Sequence, residues 1–277
     1  MPTDPFSELA QTLARDPRRR VDLARAALWL AADFRADTTP DPWLAQLDAL
    51  ADLARPTVLR AWSDEARVRA LNQFLFDEQG FKGNREQYED PRNSLLPDVL
   101  ERRVGIPISL SLVYLEVAGR LGLPAEGIGF PGHFLVRYRG RQEDQMIDAF
   151  RGTVLDEPQL RGLLREALGE AAVLRRAEFQ PIRSRDFLVR LVSNLKRHYA
   201  QARELDSALQ CCERLIQLLP DEPGEVRDRG LLYEALECWD AARTDLRHFL
   251  AVCPDDPSAA KIRERLETLD GRESTLH

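Results

Sequence analysis

Histidines, cysteines and well-placed hydroxyls are the side chains in this sequence able to act as bases or nucleophiles near neutral pH. His133 stands apart from His198, His248 and His277, because it alone precedes the helical pattern of the C-terminal third. Its imidazole titrates near physiological pH and suits proton transfer. Asp148 lies within the short apolar run Gln145–Phe150, and Ser109 sits where an apolar helix begins. A serine hydroxyl attacks only while its base stays in hydrogen-bond contact. A serine at a helix start has a competing structural use, bonding a free backbone N–H, and that is the role expected of Ser109. Ser111, two residues further in, is a weaker candidate. Cys211, Cys212, Cys238 and Cys253 all fall in the helical third. They are expected to be buried small apolar thiols. No His or Cys cluster has ligand spacing, so neither a metal nor a cofactor is expected. Gly127-Ile-Gly-Phe-Pro-Gly132 matches the dinucleotide pattern in form only. That pattern needs a helix after it to receive pyrophosphate, and Phe134–Tyr138 reads as a strand.

The stretch Gly105–Phe150 must position these groups. Leu110, Val113, Tyr114, Val117 and Leu121 recur at helical spacing and predict a helix buried on one side. Pro107 suits its first turn, and Gly122 a left-handed stop. Glu126–Phe130, Phe134–Tyr138 and Gln145–Phe150 are strand-length. A buried helix feeding a short antiparallel sheet results, with His133 at one strand's start and Asp148 near another's end.

Residues 1–70 read as helices. Phe6–Ala14 is short and amphipathic, and Asp16-Pro17 is expected to cap the helix carrying Val21, Ala24, Leu28 and Leu30. Arg15 and Arg18–Arg20 read as a solvated helix start. Asp41-Pro42 opens a further helix with Trp43, Leu47, Leu50 and Ala54 on its buried stripe, and Pro56 marks its boundary. A helix over 64–76 stops at Gln79-Gly80. The polar segment Gly80–Ser94 is expected to be an ordered loop, pinned by Phe81 and Tyr88, that walls the space beside His133. Ser94 is expected to cap the helix 95–103, and Asp156 the helix 160–168. From Asp186 a repeat begins: Tyr199 and Tyr233, Ala208 and Ala242, and Pro220 and Pro254 recur after 34 positions. That is the period of the tetratricopeptide helix pair. Gly230 holds its small-residue position, where the first repeat has Lys196. The expected divisions are a helical subdomain over 1–70, a core over 71–184 and repeats over 185–277.

Composition is ordinary for a globular chain of 277 residues, at 44% hydrophobic and 31% charged. A net charge of −7 argues against a sequence-independent grip on nucleic acid, which needs clustered cations. The sequence shows no secretory leader pattern and no apolar run of the ~18–20 residues that span a bilayer. A soluble, cytoplasmic protein is expected.

Gly105-Ile-Pro, Gly122-Leu-Pro, Pro131-Gly-His133 and Ile147-Asp148-Ala-Phe, with Asn72-Gln-Phe-Leu-Phe, Gly80-Phe-Lys-Gly-Asn84 and Asp90-Pro-Arg-Asn93-Ser94, carry a resemblance over residues 20–265. The chain resembles a bacterial transglutaminase-like family of the invasion-regulator type, with a papain-like fold and C-terminal tetratricopeptide repeats. The resemblance implies an α+β fold: an N-terminal helical subdomain, a transglutaminase/papain-like core with a small antiparallel sheet, and an all-α C-terminal region. It also implies a triad. In that superfamily a Cys opens the helix, a His starts one strand, and an Asp about fifteen residues later orients the His. Such an Asp fixes the imidazole tautomer and leaves the other nitrogen to act as base. His133 and Asp148 match, but the Cys position falls on Pro107, and Ser109 is the nearest hydroxyl. Two functions are therefore weighed. One is a degenerate transglutaminase-like protein, not an enzyme, that binds a protein or peptide through its repeats and core cleft. The other is a Ser109/His133/Asp148 hydrolase or acyl-transfer enzyme acting on a peptide or amide.

Overall fold

The computed structural model describes residues 4–36 and 38–271, so His277 lies outside the described residues. Two compact units form. One comprises Arg18–Leu191, and the other the described residues up to Pro17 together with the chain from Val192 on. Neither the expected boundary at 70 nor that at 184 coincides with an edge of these units. The boundary near 185 falls inside the helix Ser184–Gln201. The first helix, α1 (Pro5–Arg15), packs on a repeat helix, α9 (Leu205–Leu218), rather than joining residues 18–70. Phe6, Ala10 and Leu13 are its fully buried stripe.

In the Arg18–Leu191 unit, α2 (Leu23–Ala31) and α3 (Pro40–Arg60) lead into α4 (Asp64–Asn72), which continues as a π-helical turn over Gln73–Glu78. Several expected caps move. Asp22, not Asp16-Pro17, caps α2, accepting the Arg25 N–H at 2.8 Å. Asp16 instead ends α1. The α3 helix starts one proline earlier, at Pro40, and runs through Pro56 to Arg60. In that last turn proline's missing N–H costs only one ladder bond, and Val58 beyond it stays buried. Ser94 does not cap α5 (Leu96–Arg102); Leu95 takes the cap position without a side-chain bond.

A short parallel pair, β1 (Lys82–Gly83) and β2 (Val104–Gly105), ties the loop after α4 to the start of α6 (Pro107–Arg120). Pro107 is the first helical residue and Gly122 adopts φ +71°. Ten residues of α6 between Pro107 and Ala118 are buried, because the helix packs on α3 along one side and on the sheet along the other. The sheet is an antiparallel meander of β3 (Ala125–Ile128), β4 (Leu135–Tyr138), β5 (Gln145–Asp148) and β6 (Thr153–Leu155). Asp148 pairs with Thr153 and Ile147 with Val154. The sequence pattern predicts no strand at β6, and Leu155, read from sequence as the start of a turn running to Gln159, is its last residue. Asp156 does cap α7 (Glu157–Leu168) in a reciprocal box with Gln159. That helix covers the second sheet face, where Leu160, Leu163 and Leu164 join Leu135, Met146 and Leu155.

The other unit holds the repeat. Here α8 (Ser184–Gln201), α9, α10 (Pro223–Ala235), α11 (Trp239–Val252) and α12 (Ala259–Asp270) follow in order. Backbone details recur at the 34-residue period. Arg203 and Glu237 both adopt left-handed φ, 62° and 61°. The next N–H, of Glu204 and of Cys238, bonds the Tyr199 or Tyr233 carbonyl at 2.9 Å in both. Ala208 and Ala242 are fully buried. Among the described residues no helix is long and apolar enough to cross a membrane.

Candidate functional site

His133 follows a tight turn whose Gly132 adopts φ +65°, and its own N–H bonds the Phe130 carbonyl at 3.1 Å. Arg190 of α8 clamps that turn, its guanidinium donating to the carbonyls of Phe130 (3.1 Å) and His133. Burial lowers the Arg190 pKa, and two carbonyl acceptors in place of a carboxylate leave this cation tied to the backbone. Sequence gave no sign of it, since Arg190 lies far from His133 in the chain.

Asp148, at the end of β5, is completely buried. Its Oδ1 accepts the N–H groups of Phe150 (2.9 Å) and Arg151 (3.2 Å) in the turn toward β6, which fixes the carboxylate. The same oxygen stands 3.0 Å from His133 Nε2. The length is that of an ion pair, but the ring is turned so that no aligned hydrogen bond forms at Nε2. Arg151 Nε lies 3.5 Å from the other carboxylate oxygen. The meander thus brings the expected His and Asp together, because the β4–β5 register sets the end of one strand beside the start of the other.

Ser109 does not join this pair. It is the third residue of α6, and its hydroxyl is enclosed by backbone. It accepts the Ile106 N–H at 3.1 Å and donates to the Asn93 carbonyl at 2.6 Å, with the Ile106 carbonyl also at 3.1 Å. Gly105 makes room, since a Cβ there would stand 2.7 Å from Ser109 Oγ. The bond to Asn93 ties α6 to the loop 80–94, and Asn93 in turn bonds Asn84 (3.1 Å) and the Gln87 carbonyl (2.7 Å). Ser109 has no hydrogen bond to His133. Ser111 is buried further along the helix, its hydroxyl without a hydrogen-bond partner.

A cleft of about 490 Å³ opens at His133. Pro107 lines it from the start of α6, Phe150 and Arg151 from the turn after Asp148, and Arg85 and Tyr88 from the loop 80–94. Leu163, Glu166 and Ala167 of α7 close the far wall. The Phe150 ring stands edge-on to both His133 and Tyr88. Gly83 underlies Phe150, and a Cβ there would stand 2.5 Å from that ring. Phe81 is buried as expected of a loop anchor, but Tyr88 is 36% exposed and faces the cleft instead. Sequence reasoning missed Arg85, Phe150 and Arg151 as cleft residues. Only their closeness to the loop and to Asp148 could have signalled them.

Among the described residues no group of three or more His, Cys, Asp or Glu could hold a metal ion. Cys211 and Cys212 are fully buried, and desolvation pushes the Cys212 thiol up to about 12, far from a reactive thiolate. Cys238 is exposed. His198 is fully buried on α8.

Comparison with known proteins bears on the same two regions. A family model described as the transglutaminase-like superfamily matches residues 41–193, and one described as a tetratricopeptide repeat matches residues 195–267. The chain is 35% identical over 273 residues to a UPF0162 protein of Xylella fastidiosa strain 9a5c, covering 97% of each. It is 30% identical to UPF0162 protein YchA of Escherichia coli K12 over 268 residues, 96% of this chain and all of the relative. Protein SirB1 of Salmonella typhimurium is 31% identical over 233 residues, 84% of this chain and 87% of SirB1. With its helix–meander core and its 34-residue helix pairs inside the two matched regions, the chain belongs to the transglutaminase-like superfamily, in the branch that carries C-terminal tetratricopeptide repeats.

Proposed function

We propose that this chain is a transglutaminase-like protein with a degenerate catalytic site, acting as an interaction or regulatory protein through its core cleft and its repeats. The observation that carries this reading is the start of α6. Pro107, which has no nucleophilic atom, lines the cleft with His133, and the nearest hydroxyl, Ser109, gives its proton and a lone pair to backbone groups. A hydroxyl so engaged has no base in contact, and without that contact a serine does not attack. Stacked helix repeats present extended concave surfaces suited to protein partners, so a peptide or protein is the expected ligand of the C-terminal region.

The contact between His133 and a fixed, buried Asp148 favours a second reading, a Ser/His/Asp hydrolase or acyl-transfer enzyme on a peptide or amide. A serine-directed fluorophosphonate separates the two. The degenerate site leaves the protein unlabelled, and a crystal structure then finds Ser109 Oγ outside the hydrogen-bond reach of about 2.6–3.2 Å from His133. Stoichiometric labelling that disappears in both Ser109→Ala and His133→Ala would make the protein a hydrolase.

A further inference from the structure

The meander treats its two edges differently. At β3 the chain covers its own edge: the Ile182 N–H bonds the Gly127 carbonyl at 2.9 Å, and Pro181 bridges Ile128. At β6 no described segment pairs with the outer side. Thr153 is exposed and Val154 is 42% exposed. An edge strand leaves one row of backbone N–H and C=O groups unpaired, a template for another extended chain.

A second cleft, of about 510 Å³, lies along that edge, sharing no lining residue with the one at His133. Thr153 and Val154 form one side, and Asn72, Gln73 and Asp77 the other, where α4 gives way to its π-helical turn. Such turns concentrate at functional sites. Gln145 of β5 also lines it. Asn72 Oδ1 and Gln145 Nε2 are withdrawn from solvent with no hydrogen-bond partner, an acceptor and a donor left over from folding. Their terminal torsions are soft, so a rotation presents both to a ligand that itself alternates N–H and C=O. The charges are uneven. Arg69 and Glu65, four residues apart on α4, offset each other, which leaves the exposed Asp77 as the uncompensated group of the lining.

We propose that the β6 edge takes an extended peptide of a partner protein, one carrying a Lys or Arg side chain, as a fifth strand of the sheet. The strand bonds gives affinity through the main chain, as in other strand-addition complexes, while Asn72 and Gln145 read its amides and Asp77 its cation. The site is independent of the reading given to the His133 cleft.

The test uses the full-length protein and a displayed library of random linear heptapeptides. Enriched peptides should carry Lys or Arg and should protect amide protons of residues 153–155 from hydrogen exchange. They should lose affinity by about tenfold or more in Asp77→Lys, an exposed position where the fold does not depend on the side chain. Val154→Pro should abolish binding by blocking the edge, and Asp77→Lys keeps the test decisive if the proline disturbs the sheet. The proposal is overturned if no peptide is enriched, if enriched peptides protect Arg85 and Tyr88 and not β6, or if Asp77→Lys binds as the parent does. It is also overturned if the same amides are protected by self-association, seen as a dimer that Val154→Pro disperses.

Discussion

Ser109 binds together three pieces of backbone that would otherwise lack partners: the Ile106 N–H before α6, the Asn93 carbonyl and, through Asn93, the loop that walls the cleft. The two bonds that Ser109 makes to the Ile106 N–H and the Asn93 carbonyl are buried. Removing the hydroxyl therefore leaves a buried donor and a buried acceptor unsatisfied, at about 1–3 kcal/mol for each such group. Ser109→Ala should lower the urea-unfolding free energy by about 2–6 kcal/mol, the two groups together, and speed hydrogen exchange across residues 84–93. A catalytic serine outside any such network would show no stability loss, so the same variant separates a structural bolt from a nucleophile. His133 and Asp148 are held just as firmly, Asp148 by two turn amides and His133 by the Arg190 clamp on its carbonyl.

At the scale of elements, the 34-residue period makes the two repeats alike in backbone and unlike in packing. Tyr199 is 6% exposed, whereas Tyr233 is only partly buried, at the margin of the cluster around Leu246 and Phe249. Deleting a buried aromatic costs about 3–5 kcal/mol. Tyr199→Ala should show that loss, and Tyr233→Ala a clearly smaller one, in parallel denaturant titrations. The small-residue position differs too. A Cβ on Gly230 would stand 2.9 Å from two Leu246 carbons and 3.1 Å from Asp245 Cβ, so α10 and α11 touch through that glycine. Gly230→Ala should destabilise by about 1–3 kcal/mol through overpacking, despite alanine's better helix propensity. Lys196, its counterpart in the first repeat, instead reaches Glu225 (2.7 Å) and Asp228 (2.8 Å) on α10.

For the molecule as a whole, α1 belongs to the stability of the repeats. Arg214 of α9, almost wholly buried, bonds Asp4 (3.0 Å) and Ser7 (2.7 Å) and stacks on Phe6. Deleting residues 1–17 should speed exchange in α9 while leaving α6 and the sheet protected, and Phe6→Ala alone should cost about 3–5 kcal/mol. The same unit should weaken in alkali. Desolvation raises the Cys212 pKa from 9.0 to about 12. Burial works against the Lys196 charge, but its bonds to Asp228 and Glu225 outweigh that and raise its pKa above 10.5. The unfolded thiol ionises near pH 9 while the folded one stays neutral, so stability is full below 9 and falls as pH rises toward 12. Lys196 adds to the fall above about 10.5, where the unfolded amine loses its proton first. The unfolding midpoint should decline from pH 9 upward, and Cys212→Ala should flatten the decline.

The sequence by itself determined what rests on local chemistry. The α6 stripe from Leu110 to Leu121, the left-handed stop at Gly122, the Asp156 cap and the 34-residue repeat were legible because each depends on neighbours within a few turns or on an internal period. The approach of His133 and Asp148 was legible only through the resemblance, and the meander supplies the reason in its strand register. Tertiary structure alone decided the rest. Pro56 looked like a boundary, but the packing of Val58 carries α3 past it. Ser94 looked like a cap, but the chain turns so that Leu95 takes that place. β6 was unreadable because three residues have no period of their own, and only pairing with β5 makes them a strand. The docking of α1 on α9 joins residues some two hundred positions apart, a choice set by the burial of Phe6 and Arg214 and by no local signal. The fate of Ser109 was likewise decided by the carbonyl of Asn93, sixteen residues away in sequence and one hydrogen bond away in space.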